Sequence, residues 1–161
     1  MMIGLSTLTA IHTLLSIAAL LSGVLVITSL LRGSQPSGWF WIFWITAAAT
    51  SATGFFFPFH GMTPAIAVGI LALIILAVVL IVSPAIRRSR VCSVIYASGL
   101  VASEYLLIFV AIAQAFGKIA LLHAAAPTLK EPPFAVAQLV ALAIFVILGV
   151  LATKRLKVLI L

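Results

Sequence analysis

Glu104 and His12 are the residues of this chain most able to do chemistry inside an apolar environment. Glu104 stands thirteen residues from Val91 and thirteen from Gly117, in a stretch with no other charge. An ionisable group near the centre of a bilayer costs about 2.5–3.5 kcal/mol on insertion scales, so its presence points to a role. No Lys or Arg lies within the apolar stretches to pair with it. The carboxyl group is therefore expected to be neutral at pH 7 and to donate a hydrogen bond. Thr46, Thr50 and Thr53 recur at i, i+4 and i+7 beside Ala49 and Gly54. That is a small-residue face able to pack closely and to supply hydroxyl groups to Glu104. Two chemistries fit Glu104: a helix-to-helix hydrogen bond, or a proton-coupling or cation-ligand site.

His12 shares a helical face with Thr9, Ser16, Ala19 and Gly23, so its ring is expected to face protein. A metal or haem site needs further ligands at matching depth. His60 and His123 fall in loops on the same side of the membrane as His12, which makes these three the candidate ligands. Only His12 lies on a spanning helix, as a bis-histidine haem would require of two. Gln114 and Gln138 complete a ladder of polar groups that runs with Glu104 and His12 from the midplane to one face. The other half offers only Ser22, Thr28, Ser29, Ser98 and Tyr96. A continuous ion path would leave polar groups in both halves, so the ladder points to a pocket opening outward. Catalysis finds little footing. The chain has no Asp to orient a Ser–His pair, and Glu131 lies in a loop far in depth from Glu104. Cys92 has no histidine at its end of the molecule to serve as base, and reads as structural. No glycine-rich phosphate loop is present.

The elements that must position these groups follow from composition. Of 161 residues, 65% are hydrophobic and only 7% charged, against about 25% charged in a water-soluble domain. Five apolar stretches run from Ile3 to Leu31, Trp39 to Phe57, Pro64 to Ile86, Val91 to Gly117 and Phe134 to Thr153. Each is long enough to cross a ~30 Å hydrocarbon core as a helix, and none alternates as a barrel strand would. The expectation is an all-α integral membrane protein, a single domain over 1–161 built as one bundle of five transmembrane helices. The first stretch lacks the basic lead and short apolar run of a signal peptide, and is expected to remain in the mature chain.

Charge placement chooses the orientation. Arg32, Arg87, Arg88, Arg90, Lys154, Arg155 and Lys157 fall on one side of such a bundle, and only Lys118 and Lys130 on the other. Seven against two in short loops puts the N-terminus outside and the C-terminus in the cytoplasm. The net charge of +7 thus resolves into juxtamembrane clusters that suit anionic lipid, not nucleic acid. Trp39, Phe40, Trp41, Phe43 and Trp44 mark one interface, and Phe55 to Phe59 the other. The segment Lys118–Ala126 leaves two readings open, a continuation of the fourth helix or a short piece lying in the interface.

Several fragments form a familiar set: TGFFFPF at Thr53–Phe59, AQAF at Ala113–Phe116 and APTLKEPPF at Ala126–Phe134, followed by Gln138 and LATKRLK. Together they resemble a group of small uncharacterised multi-pass proteins of the bacterial inner membrane. That resemblance implies an inner-membrane address and carries no activity. Three functions remain. The first is a non-catalytic accessory subunit, or a binder of a lipid, quinone or other small apolar ligand, with the bilayer and partner membrane subunits or a second copy as its partners. The second is a small proton-coupled transporter using Glu104. The third is a haem or metal redox protein using His12 and the loop histidines.

Overall fold

The computed structural model describes residues 2–58 and 64–156, with side chains from residue 5 onward. His60, Phe59 and Lys157 lie outside the described residues. Every regular element described is helical: α1 (Met2–Leu31), α2 (Ser37–Gly54), α3 (Pro64–Val82), a 3₁₀ turn (Ser83–Ala85), α4 (Arg90–Lys118), α5 (Ala120–Ala125) and α6 (Pro132–Leu156). The five long helices coincide with the five apolar stretches to within a few residues. Four of them, α1, α3, α4 and α6, are both long and apolar enough to cross a membrane. In α2 the three tryptophans and its Thr and Ser residues lower the hydropathy, although it carries no charged residue.

Local chemistry sets the ends. Gly33, at φ +73°, closes α1 in a left-handed conformation that favours glycine. Its N–H reaches Leu30 O at 2.9 Å and that of Ser34 reaches Ser29 O at 3.0 Å, which satisfies carbonyls the helix would leave bare. Pro84 loosens the end of α3 into the 3₁₀ turn, and the Ser89 hydroxyl caps α4 by accepting from Cys92 N at 3.3 Å. At the far end of α4 the chain turns extended at Ile119 (φ −86°, ψ 116°) before α5 begins. Of the segment Lys118–Ala126, only Lys118 belongs to α4, and the residues after it do not continue that helix. Six residues of α5 span only about 9 Å, so this helix does not cross a bilayer. Leu121 on it is 81% exposed.

In the bundle, α1 packs against α2, α2 against α3, α3 against α4 and α4 against α1, while α6 lies along the α4–α1 seam. The core runs through Ala19, Val26, Leu30, Phe43, Leu76, Val79, Ala97 and Leu100. Trp44 Nε1 donates to Leu76 O at 3.0 Å and ties α2 to α3. The outside is apolar: Leu14, Leu21, Ile81 and Leu139 are all at least 64% exposed. Such a surface suits lipid and not water. The helix richest in buried polar groups is the innermost one. Ser93, Tyr96, Ser103 and Glu104 of α4 all face protein.

Candidate functional site

Glu104 is 1% exposed and points into the ring formed by α1, α2, α3 and α4. Long side chains on a helix lean toward its N-terminus, so the carboxyl group reaches toward the basic end of the bundle. It lies directly against Gly23 of α1, where a Cβ would overlap the carboxyl group and stand 2.9 Å from the Phe43 ring. Glycine at position 23 is what makes room for the carboxyl. Neither carboxyl oxygen has a hydrogen-bond partner among the described residues. The threonines of α2 do not supply one. Thr46 donates to Ile42 O at 2.7 Å, Thr53 turns toward α1, and the buried Thr50 hydroxyl is itself unpartnered. The reason is depth: Glu104 meets α1 at Gly23, where the α2 residue alongside is Phe43, seven residues or about 10 Å of helix from Thr50.

His12 makes the partnership that was expected of Glu104. Its Nδ1 lies 2.9 Å from Thr53 Oγ1, and the Thr53 hydroxyl also lies 2.8 Å from Ala49 O. With the hydroxyl proton on the Ala49 carbonyl, the hydroxyl oxygen is the acceptor for the Nδ1–H tautomer of His12. The ring also meets Phe57 edge-to-face at a centroid distance of 5.3 Å, and Gly54 lies beside it, where a Cβ would make an ordinary 3.8 Å contact with the imidazole. The fragment TGFFFP thus wraps the histidine. Eleven residues of α1 separate His12 from Gly23, about 16 Å of helix, so His12 and Glu104 form two separate sites.

The rest of the ladder is not drawn together either. Gln138 Nε2 donates to Phe109 O at 3.0 Å and joins α6 to α4, while Gln114 is exposed. His123 is exposed on α5. Among the described residues, no three of His, Cys, Asp and Glu come together as metal ligands would.

The fragments AQAF and APTLKEPPF meet in space, with Phe116 edge-to-face on Phe134 at 5.5 Å. Glu131 explains the second fragment. Its carboxylate accepts from the N–H groups of Thr128 and Lys130 at 3.2 and 3.0 Å and from the Thr128 hydroxyl at 2.8 Å. Those bonds, the Thr128 hydroxyl foremost, hold its carboxyl below the usual carboxylate range. They also hold Leu129 between them in a left-handed conformation, φ 58°. Pro132 and Pro133 then start α6, where missing N–H groups cost nothing. The fragment is a loop lock, and the sequence signal for it was the acidic residue just before two prolines.

Two clefts lie away from the polar ladder, toward the basic end. One, of about 350 Å³, runs between α4 and α6 and is lined by Ser98, Val101, Ala102, Tyr105, Phe145 and Gly149 among others. The second, of about 240 Å³, lies between the start of α2, the 3₁₀ turn and α4, and includes Gln35, Ser37, Trp41, Ser83 and Tyr96. Neither was legible in the sequence, because each depends on which helices adjoin. Arg32, Arg87, Arg88, Arg90, Lys154 and Arg155 cluster at this end with no acidic side chain, since Glu104 and Glu131 lie elsewhere. Comparison with protein-family models, curated proteins and solved structures gives no match.

Proposed function

We propose that this chain is a non-catalytic protein of the bacterial inner membrane, with five spans, its N-terminus outside and its C-terminus in the cytoplasm, that binds a ligand of the lipid or quinone type. The observation that carries the ligand is the α4–α6 cleft. Its lining is overwhelmingly apolar and it is long enough for part of an acyl or isoprenoid chain. Gly149 gives it depth, because a methyl there would only just meet Val101 at 3.7 Å. Of the hydroxyls along it, those of Ser98 and Thr153 are given to the backbone of their own helices at 2.7 and 2.9 Å, so Tyr105 supplies the phenol at the wall.

The fifth span is α2. It has no charged residue and packs between α1 and α3, which are apolar enough to cross. Trp39 and Trp41 are about half exposed at its basic end, as an interfacial belt requires. The positive-inside rule and the one-sided basic cluster support the orientation. The resemblance to small inner-membrane proteins supports the address. Reporter fusions after Arg90 and after Lys130 test the topology, and both on one side would refute five spans. Mass spectrometry of what copurifies tests the ligand. The wild type should retain an apolar-chain molecule that Gly149→Leu, which fills the cleft, loses. An unchanged complement in that variant would overturn the reading. A partner chain that copurifies in place of a ligand would favour an accessory subunit.

The unpartnered Glu104 carboxyl favours a second reading, a proton-coupled transporter. Glu104→Gln would then abolish proton-dependent uptake in liposomes while sparing the fold. Under the ligand-binding reading the same variant leaves the copurified ligand in place.

A further inference from the structure

We propose that the second cleft is a binding site for a phosphate group, held at the basic end of the bundle between the start of α2, the 3₁₀ turn and α4. The site is independent of the α4–α6 cleft. Its central residue is Tyr96, 4% exposed, with its ring stacked beside Phe40 at 5.6 Å. The phenol lines the cleft and has no hydrogen-bond partner among the described residues. A hydroxyl without a partner on a residue that lines a cleft is a donor free to meet an acceptor there.

The floor of the cleft is the first turn of α2. Pro36 precedes this helix and provides no side-chain cap. The Ser37 N–H goes to Gln35 O and that of Phe40 to Pro36 O, which leaves the N–H groups of Gly38 and Trp39 without an acceptor among the described residues. Gly38 and Trp39 adjoin Ser37 but do not themselves line the cleft, so they lend it the positive end of the helix dipole and not a direct hydrogen bond. Bare N–H groups at a helix start favour an anion. Gln35 and Ser37 add side-chain donors, whereas Ser83 already gives its hydroxyl proton to Leu80 O at 2.9 Å.

Charge agrees with hydrogen bonding. Arg32 stands on the connection that supplies Gln35 and Ser37, and Arg87 and Arg88 follow Ile86, which lines the cleft. All three are exposed, and neither acidic residue of the chain is at this end. A phosphate provides what these groups lack: several acceptor oxygens and a charge for guanidinium groups to pair with. At this depth it could belong to an anionic phospholipid headgroup or to a free phosphate.

The two sources separate in one set of measurements on the full chain. Native mass spectrometry from mixed micelles would compare retention of phosphatidylglycerol with phosphatidylcholine. Thermal unfolding would be followed with and without millimolar inorganic phosphate. For a headgroup site, phosphatidylglycerol should be retained preferentially while inorganic phosphate leaves the unfolding temperature unchanged. For a free-phosphate site, inorganic phosphate should raise that temperature with no lipid preference. In either case Tyr96→Phe, which removes only the hydroxyl, should weaken the response about fivefold, the usual weight of one hydrogen bond to a charged group. Arg87→Gln with Arg88→Gln should weaken it further and flatten its salt dependence. Gly149→Leu should leave it unchanged, which separates this site from the α4–α6 cleft. Absence of both responses in the wild type, or wild-type responses in folded Tyr96→Phe and the double arginine variant, would overturn the proposal.

Discussion

Gly23→Ala is the sharpest probe of how Glu104 is held. The new Cβ would overlap the Glu104 carboxyl group and come within 2.9 Å of the Phe43 ring. Neither neighbour has room to retreat, since Glu104 is 1% exposed and Phe43 0%. Overpacking of a filled interior costs about 1–3 kcal/mol. Alanine returns up to about 1 kcal/mol through helix propensity. The net loss should fall near 1–2 kcal/mol, roughly a five- to thirtyfold shift toward the unfolded state. Gly117→Ala is the control: nothing lies within 4 Å of its Cβ position, so the propensity gain should appear alone. Denaturing-detergent titration of the micellar protein would measure both, with the fluorescence of Trp39, Trp41 and Trp44 as reporter. The decisive variant is the pair Gly23→Ala with Glu104→Ala, which removes the group that the methyl strikes. It should recover about 1 kcal/mol or more relative to the sum of its parts. Glu104→Gln, of the same size, should not rescue. Strict additivity, or a Gly23→Ala protein as stable as the wild type, would refute the placement of the carboxyl on Gly23.

Thr53→Val should strip His12 Nδ1–H of its acceptor and destabilise the α1–α2 contact by about 1 kcal/mol; nitrogen NMR of the ring should show a protonated Nδ1 in the wild type and a changed signal in the variant. The Glu131 lock should depend on pH with a definite sign. Its carboxyl lies below the ordinary range when folded, so the loop's order is fully present above that range and is lost as pH falls through the lower folded value. Amide exchange at Thr128 and Lys130 should accelerate there, Glu131→Gln should be fast already at neutral pH, and exchange that ignores both would rule out the lock. Trp44→Phe should cost about 1 kcal/mol by removing the indole hydrogen bond that ties α2 to α3, and an unchanged midpoint in the same detergent titration would contradict that role.

The helical stretches were legible in the sequence because apolar runs of this length, without alternation, have one low-energy form in hydrocarbon. Their ends shifted by a few residues where local chemistry acts: α3 stops at Val82 and not Ile86 because Pro84 turns the chain into the 3₁₀ turn, and α6 starts at Pro132. The basic cluster was legible for the same reason, since in an alternating bundle the loop number decides which end a charge occupies. Side-chain partnership was not. Glu104 and Thr50 are alike enough in type to be paired on paper, yet the packing order of the helices brought Glu104 to Gly23, level with Phe43 and about 10 Å along α2 from Thr50, and gave the Thr53 contact to His12. The same ordering left the Glu104 carboxyl against a glycine and created the two clefts. Periodicity specifies which face of a helix is small or polar, a property of one helix alone. Which neighbour that face meets depends on how all the helices fill space together, and that was decided only by the tertiary structure.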